Sequence, residues 1–113
     1  MALPKRRRIK SKKDINRIFK TGRSFRTASF LVKIAKNNLP FCRGAVIVPS
    51  KLVSGAVLRN KVRRKLSTVL ASAFTFCKVR VDVVVVVQSG FKEAELQKTN
   101  QSLLEIFRKA NVV

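Results

Sequence analysis

Leu58, Val62, Leu66, Leu70 and Phe74 recur every fourth residue, with Val69 and Ala73 beside them. That spacing predicts a helix over 56–76 with one buried stripe. Farther back the period is two: Phe30, Val32 and Ile34 alternate with Leu31 and Lys33, as in a half-buried strand. "KNNLP" is turn chemistry, and "GAVIVP" then predicts a second strand ended by Pro49. "VDVVVVVQ" is apolar on both faces and β-branched, which predicts a central strand. Two further amphipathic segments complete the pattern. In "SKKDINRIFKTG", Ser11 is placed to cap a helix, Asp14 to complete a capping box and Gly22 to close the end, with Ile15, Ile18 and Phe19 on one face. In "FKEAELQKTNQSLLEIFRKA", Leu96, Leu103, Leu104 and Phe107 supply a buried face, and Glu93 and Glu95 lie near the positive end of the dipole. The order α-β-β-α-β-α predicts an α+β fold: a single-domain sandwich over 1–113, one central sheet covered by helices. Residues 1–10 read as a basic, flexible arm.

Composition changes this picture in one respect. Hydrophobic residues make up 46% of the chain, enough for a single modest core. The charge, however, is 26 Lys plus Arg against 5 Asp plus Glu, a net +21. Repulsion of that size opposes compactness and is most easily offset by a polyanion. A membrane is the weaker reading, because no apolar run approaches the ~20 residues needed to span a bilayer. The basic N-terminus has no apolar signal core after it, and the expected location is cytoplasmic. Cys42 and Cys77 form no C-x-x-C pair and read as reduced thiols in or near the core.

The catalytic inventory is thin. The chain has no histidine, which removes imidazole base and zinc chemistry. The acids are Asp14, Asp82, Glu93, Glu95 and Glu105, and their spacing suggests no convergent metal site. There is no Gly-rich phosphate loop and no nucleophile elbow. The basic residues are more informative. In "AVLRNKVRRKL", helical projection puts Lys61 and Lys65 on one flank, Asn60 and Arg64 on the other, and Arg59 and Arg63 near the edge of the apolar stripe. A merely solvated helix face would mix signs for i,i+4 pairing, yet 56–76 contains no acid. Arginine forks engage phosphate bidentately, and asparagine bonds to ribose or base edges. Residues alone lead to a compact nucleic-acid-binding module and leave DNA and RNA both open, with no helix-turn-helix and no RNP or KH motif to decide.

The order of these segments resembles the bacterial ribonuclease P protein component. The resemblance rests on the basic arm, "SKKDINRIFKTGRSF", "RGAVIVPSKLVSGAVLRNKVRRKL", "DVVVVVQSGF" and the final amphipathic helix. Its most specific element is "AVLRNKVRR", similar to the family's Arg-Asn-Arg signature. The resemblance implies a left-handed β-α-β crossover and a role as protein subunit of the ribonucleoprotein that removes the 5′ leader from precursor tRNA. It implies that the RNA subunit holds the catalytic Mg2+ and that the protein alone binds no cofactor and supplies no catalytic residue. It implies as partners the ribonuclease P RNA subunit and precursor tRNA, with no DNA and no membrane. Arg59, Asn60, Lys61, Arg63 and Arg64 would then bind the RNA subunit. Ile15, Phe19, Lys33 and Arg17 would bind the single-stranded leader in a cleft between the first helix and the sheet. The chain departs from the family pattern at Lys61 and Ser67, where arginine is usual, at Ile15 and Lys33, where aromatics are common, and at Ser50, where lysine is common. A small ribosomal-type RNA-binding protein would carry the same charge, and a self-sufficient nuclease would need a carboxylate site.

Overall fold

The computed structural model describes residues 3–89 and 91–113 and leaves the side chain of Glu95 undescribed. Helices α1 (Lys12–Thr21), α2 (Ala56–Phe74) and α3 (Thr99–Lys109) pack on a sheet of β1 (Arg23–Arg26), β2 (Phe30–Lys36), β3 (Arg43–Ile47) and β4 (Val81–Val87). The α+β sandwich read from the sequence is therefore present, with one strand more than predicted. That strand, β1, is "RSFR", too short and polar to show a period, and it pairs antiparallel with β2 around a turn braced by Thr27. The strand order is β1-β2-β4-β3, so the valine-rich strand is internal, as its two apolar faces require.

Alternation in β4 sorts the core into two layers. Val81, Val83, Val85 and Val87 face the larger cluster, which also takes Phe30, Val32 and Ile34 of β2 and the stripe Val62, Leu66, Val69, Leu70, Ala73 and Phe74 of α2. Val84 and Val86 face α1, with Ile15, Ile18 and Phe19. Gly44 lets α2 lie close on β3: a Cβ there would meet Leu70 at 3.0 Å, Leu3 at 3.1 Å and Phe74 at 3.4 Å. At the end of α1, Gly22 donates its N–H to the Ile18 carbonyl at 2.8 Å. A side chain there would come within 2.5 Å of that same oxygen.

The hand of the β3-α2-β4 connection follows from hydrogen-bond parity. At the end of β4 the Gln88 N–H donates to the Ser29 carbonyl, so even-numbered β4 residues bond toward β2 and odd ones toward β3. The odd side chains face α2. In an upward strand of L-residues, side chains facing the viewer accompany N–H and C=O groups pointing right. Seen from α2, β3 therefore stands to the right of β4, and the parallel connection between them moves leftward. The crossover is left-handed, against the usual rule.

Two segments take paths that periodicity did not convey. Over 3–9 the basic arm is docked: a 3-10 turn at Lys5–Arg7 leads to a bridge between Arg8 and Gly44, and the Ile9 N–H donates to the Gly44 carbonyl at 3.0 Å. Leu3 and Ile9 are only 3% and 6% exposed, so the arm caps the free edge of β3 with two apolar anchors. The last predicted helix begins as a 3-10 segment, Glu93–Lys98, and becomes α-helical only from Thr99. No side chain caps either start.

Candidate nucleic-acid interface

Helix α2 begins after Gly55, whose φ of +88° is a backbone conformation that favours glycine. The apolar stripe fixes the helix on the sheet, and this fixes where each cation stands. Arg59 falls in line with the stripe, about one turn before Val62, and its guanidinium donates to the Val53 carbonyl at 3.3 Å, tying down the lead-in loop. Asn60 Oδ1 accepts from Arg63 at 2.9 Å, a one-turn bond that orients the arginine fork. Arg63 and Arg64 are exposed and line, with Ser67, one wall of a groove of about 340 Å³. The opposite wall is the docked arm, which contributes Arg8 and Lys10 over a floor of β3. Lys61 lies on the other flank, where its ammonium reaches Glu93 at 3.4 Å with both side chains more than half exposed. Such a pair is worth less than about 1 kcal/mol and yields readily to a phosphate.

The structure thus gathers Arg63 and Arg64 at one groove, keeps Asn60 and Arg59 as supports nearby, and sets Lys61 apart. It adds Arg8 and Lys10, which sequence reading had placed in a flexible arm. The signal for them was Leu3 and Ile9, two apolar residues isolated among cations and without use in a free tail.

A second surface lies over α1. Ile15 and Phe19 are half-buried against Ile9, Ile18, Ala35 and Val84, next to partly exposed Ile47 and Val86. The Lys33 ammonium sits 5.9 Å from the centre of the Phe19 ring, a cation–π contact. Three of the four leader candidates therefore come together. Arg17 does not join them. It turns under the sheet face to Asp82, donating to Oδ2 at 2.8 Å.

Asp82 is fully buried in the central strand and was not singled out for any such role from sequence. Arg43 grips it with two bonds, 3.0 Å to Oδ1 and 2.7 Å to Oδ2, and Asn37 donates to Oδ1 at 2.8 Å. Burial pushes its pKa up, but the bonds from Arg43, Asn37 and Arg17 and the charge of Arg43 outweigh burial and hold it below the usual carboxylate range. The same bond to Asp82 raises the pKa of Arg43 against its own desolvation. Folding does bring a second carboxylate close, since Asp14 lies 3.5 Å from Arg43 and 3.9 Å from Arg17. Two guanidinium groups stand between the acids, so this is a neutralised ion network. Among the described residues no group of three His, Cys, Asp or Glu side chains is arranged to hold a metal ion.

Comparison with known proteins places this geometry. The sequence profile of the family Ribonuclease P matches residues 3–111. The chain belongs to the ribonuclease P protein family. It is 30% identical over 112 residues to the ribonuclease P protein component of Lactococcus lactis subsp. cremoris, covering 99% of this chain and 94% of that protein. With the component of Streptococcus equi subsp. zooepidemicus it shares 32% over 106 residues, 94% of this chain and 87% of the other. A solved Staphylococcus aureus RNase P protein, a mutant with defective mRNA degradation activity, superposes with a TM-score of 0.85 at 28% identity, over 96% of this chain and 92% of that one. The match runs from the docked arm through α3 and so spans the residues of both surfaces described above. Among the described residues no helix is long and apolar enough to cross a membrane.

Proposed function

We propose that this chain is the protein subunit of ribonuclease P, that its α2 face docks on the RNA subunit, and that the α1 cleft holds the precursor-tRNA leader. The observation that carries the reading is a signature helix without a single acid, set in a fold whose family match spans 3–111. Arg63 and Arg64 offer bidentate contacts to phosphate, Asn60 holds Arg63 in place, and Arg59 keeps the lead-in loop against the helix. Lys61 adds charge without a fork and Ser67 adds a hydroxyl, so this docking face depends on two exposed arginines more than a three-arginine signature would.

In the cleft, Phe19 presents part of a ring on which a base can stack, and Lys33 stands over it to meet a phosphate. Arg17 acts there as a support for Asp82. The division of labour leaves hydrolysis to Mg2+ ions held by the RNA. The protein's part is to bind RNA and leader, to align them, and to lower the phosphate repulsion that opposes their approach. A ribosomal-type RNA-binding role explains the charge equally well, but leaves the family match without a reason.

Reconstitution with the RNA subunit of the same organism tests the proposal. At low magnesium, where phosphate repulsion is least screened, adding the protein is expected to raise cleavage of precursor tRNA at the leader junction. No gain, or recovery of ribosomal RNA in place of a ribonuclease P RNA in a pull-down, overturns it.

A further inference from the structure

The docked arm carries its cations to two places. Arg8 and Lys10 stand at the groove beside α2. Arg6 and Arg7 stand elsewhere: each guanidinium lies over the ring of Phe41, 5.7 Å from its centre. Phe41 sits in the turn between β2 and β3, and Arg80 directly precedes β4. Arg80 reaches the same turn, donating its Nε to the Pro40 carbonyl at 3.1 Å. Three arginines from two distant segments thus meet about one half-buried aromatic ring. The backbone around them is tied down. The 3-10 turn at Lys5–Arg7 is closed by the Arg7 N–H donating to the Pro4 carbonyl at 2.9 Å, and it sets neighbouring guanidinium groups on the same ring. Beneath it, the Asn37 side-chain amide donates to the Phe41 carbonyl at 3.3 Å and to buried Asp82 at 2.8 Å. The Asn37 N–H donates to the Arg80 carbonyl at 3.2 Å, so the turn and Arg80 are held together.

We propose that Arg6, Arg7 and Arg80, set around Phe41, form a further RNA-binding site that takes backbone phosphate, apart from both the α2 face and the α1 cleft. A guanidinium stacked on a ring keeps its in-plane N–H donors for an anion, and the ring limits the freedom it would lose on binding. Among the described residues none of the three is joined to a carboxylate in an ion pair, whereas Arg17 and Arg43 share Asp14 and Asp82. The Nε of Arg7 is buried without a hydrogen-bond partner, a cost that an anion beside the guanidinium offsets. Phosphate fits this site better than a base does, because the ring face that a base would need is occupied by cations. RNA is the source of that phosphate because the next cations on the same arm, Arg8 and Lys10, already line the groove with Arg63 and Arg64. A strand leaving that groove along the edge of β3 meets Phe41 next. The contact positions the strand and reads no sequence.

The site rests on the reading of this chain as an RNA-binding subunit, so the test uses two probes on the full-length protein. One is the ribonuclease P RNA subunit, the other a short single-stranded oligouridylate. The double variant Arg6→Gln, Arg80→Gln removes two exposed forks, and Lys98→Gln, Lys109→Gln removes the same charge from exposed positions on the α3 side. The arginine pair should lower affinity roughly tenfold and reduce the salt slope by between about one and two, with a much smaller loss for the lysine pair. Phe41→Leu removes the platform and keeps every charge. It should lower affinity about threefold with the slope unchanged; should it unfold, the arginine pair decides alone. A loss on both probes, or on the RNA subunit only, supports the site. A loss on the oligouridylate with no binding of the RNA subunit keeps the site and removes the proposed function. No loss on either probe, or an equal loss from the lysine pair, overturns the site and leaves the proposed function standing.

Discussion

Helices α1 and α2 lie on opposite faces of one sheet, and each sets arginines beside an apolar stripe. On α1, Arg17 turns inward and shares Asp82 with Arg43 across the sheet. On α2, Arg63 and Arg64 are exposed and, among the described residues, neither is joined to a carboxylate in an ion pair, whereas Lys61 on the other flank reaches Glu93. The difference lies in the strand beneath. β4 carries an acid at the end covered by α1, whereas every β4 residue under α2 is valine. Guanidinium groups that reach Asp82 stabilise the protein itself, and those at the groove floored by β3 remain free for an external anion. A strongly basic chain thus contains two kinds of arginine, told apart by the residues they stand above.

Removing Asp82 strikes this contrast hardest. Asp82→Ala leaves Arg43 and Arg17 without their buried partner, and unfolding in urea should show a loss of about 3–5 kcal/mol; a loss under 1 kcal/mol would mean that the network is incidental. The acid limb is a related readout. The folded pKa of Asp82 lies below the value of about 3.9 for an unfolded aspartate. Its contribution is therefore in place above that pH and disappears as pH falls through the folded value. Stability of the wild type should fall on acidification below about pH 4, and Asp82→Asn should flatten that fall.

On the other side, Arg63→Ala should weaken RNA-subunit binding by about 1–3 kcal/mol and reduce the salt slope by about one, with folding stability unchanged within about 0.5 kcal/mol. If affinity and slope both stay put, α2 is not the docking face. Phe19→Ala addresses the cleft. Affinity for tRNA with a leader should fall by about 1 kcal/mol relative to mature tRNA. An equal loss for both, or unfolding, assigns Phe19 to the core alone. The smallest effect is expected at Glu93→Gln, which releases Lys61: stability should move by less than about 0.5 kcal/mol, and RNA affinity should rise slightly at low salt.

The parts of this molecule that repeat a period were legible. Five apolar residues at fourfold spacing located α2, and the run of valines located the central strand. Non-local pairing was not. β1 has a single apolar residue in "RSFR" and is a strand only because β2 offers it an edge. Asp82 stood in plain view as the one acid in a valine strand. A carboxylate in a strand apolar on both faces requires buried donors, and that argument would have claimed Arg17 and Arg43 before any site was assigned to them. The basic signature of α2 was legible because its absence of acids is a local property. Arg8 and Lys10 join it only through the docking of Leu3 and Ile9, which composition could not convey.

The position of β4 also governs when this protein can exist. β2 and β3 never touch as neighbours; each pairs with a strand made after both. During synthesis the chain can form α1 and the β1–β2 hairpin early, but β3 and α2 must wait, unpaired and strongly cationic, until residues 81–87 emerge. Loop closure of that range slows folding, and for that interval the nascent segment bearing Arg59 to Arg64 has no sheet to lie on while it hangs beside ribosomal RNA. A chain truncated before Val81 should therefore be unable to build the sheet, and delivery of the final thirty-odd residues becomes the step that converts an indiscriminate polycation into a shaped surface.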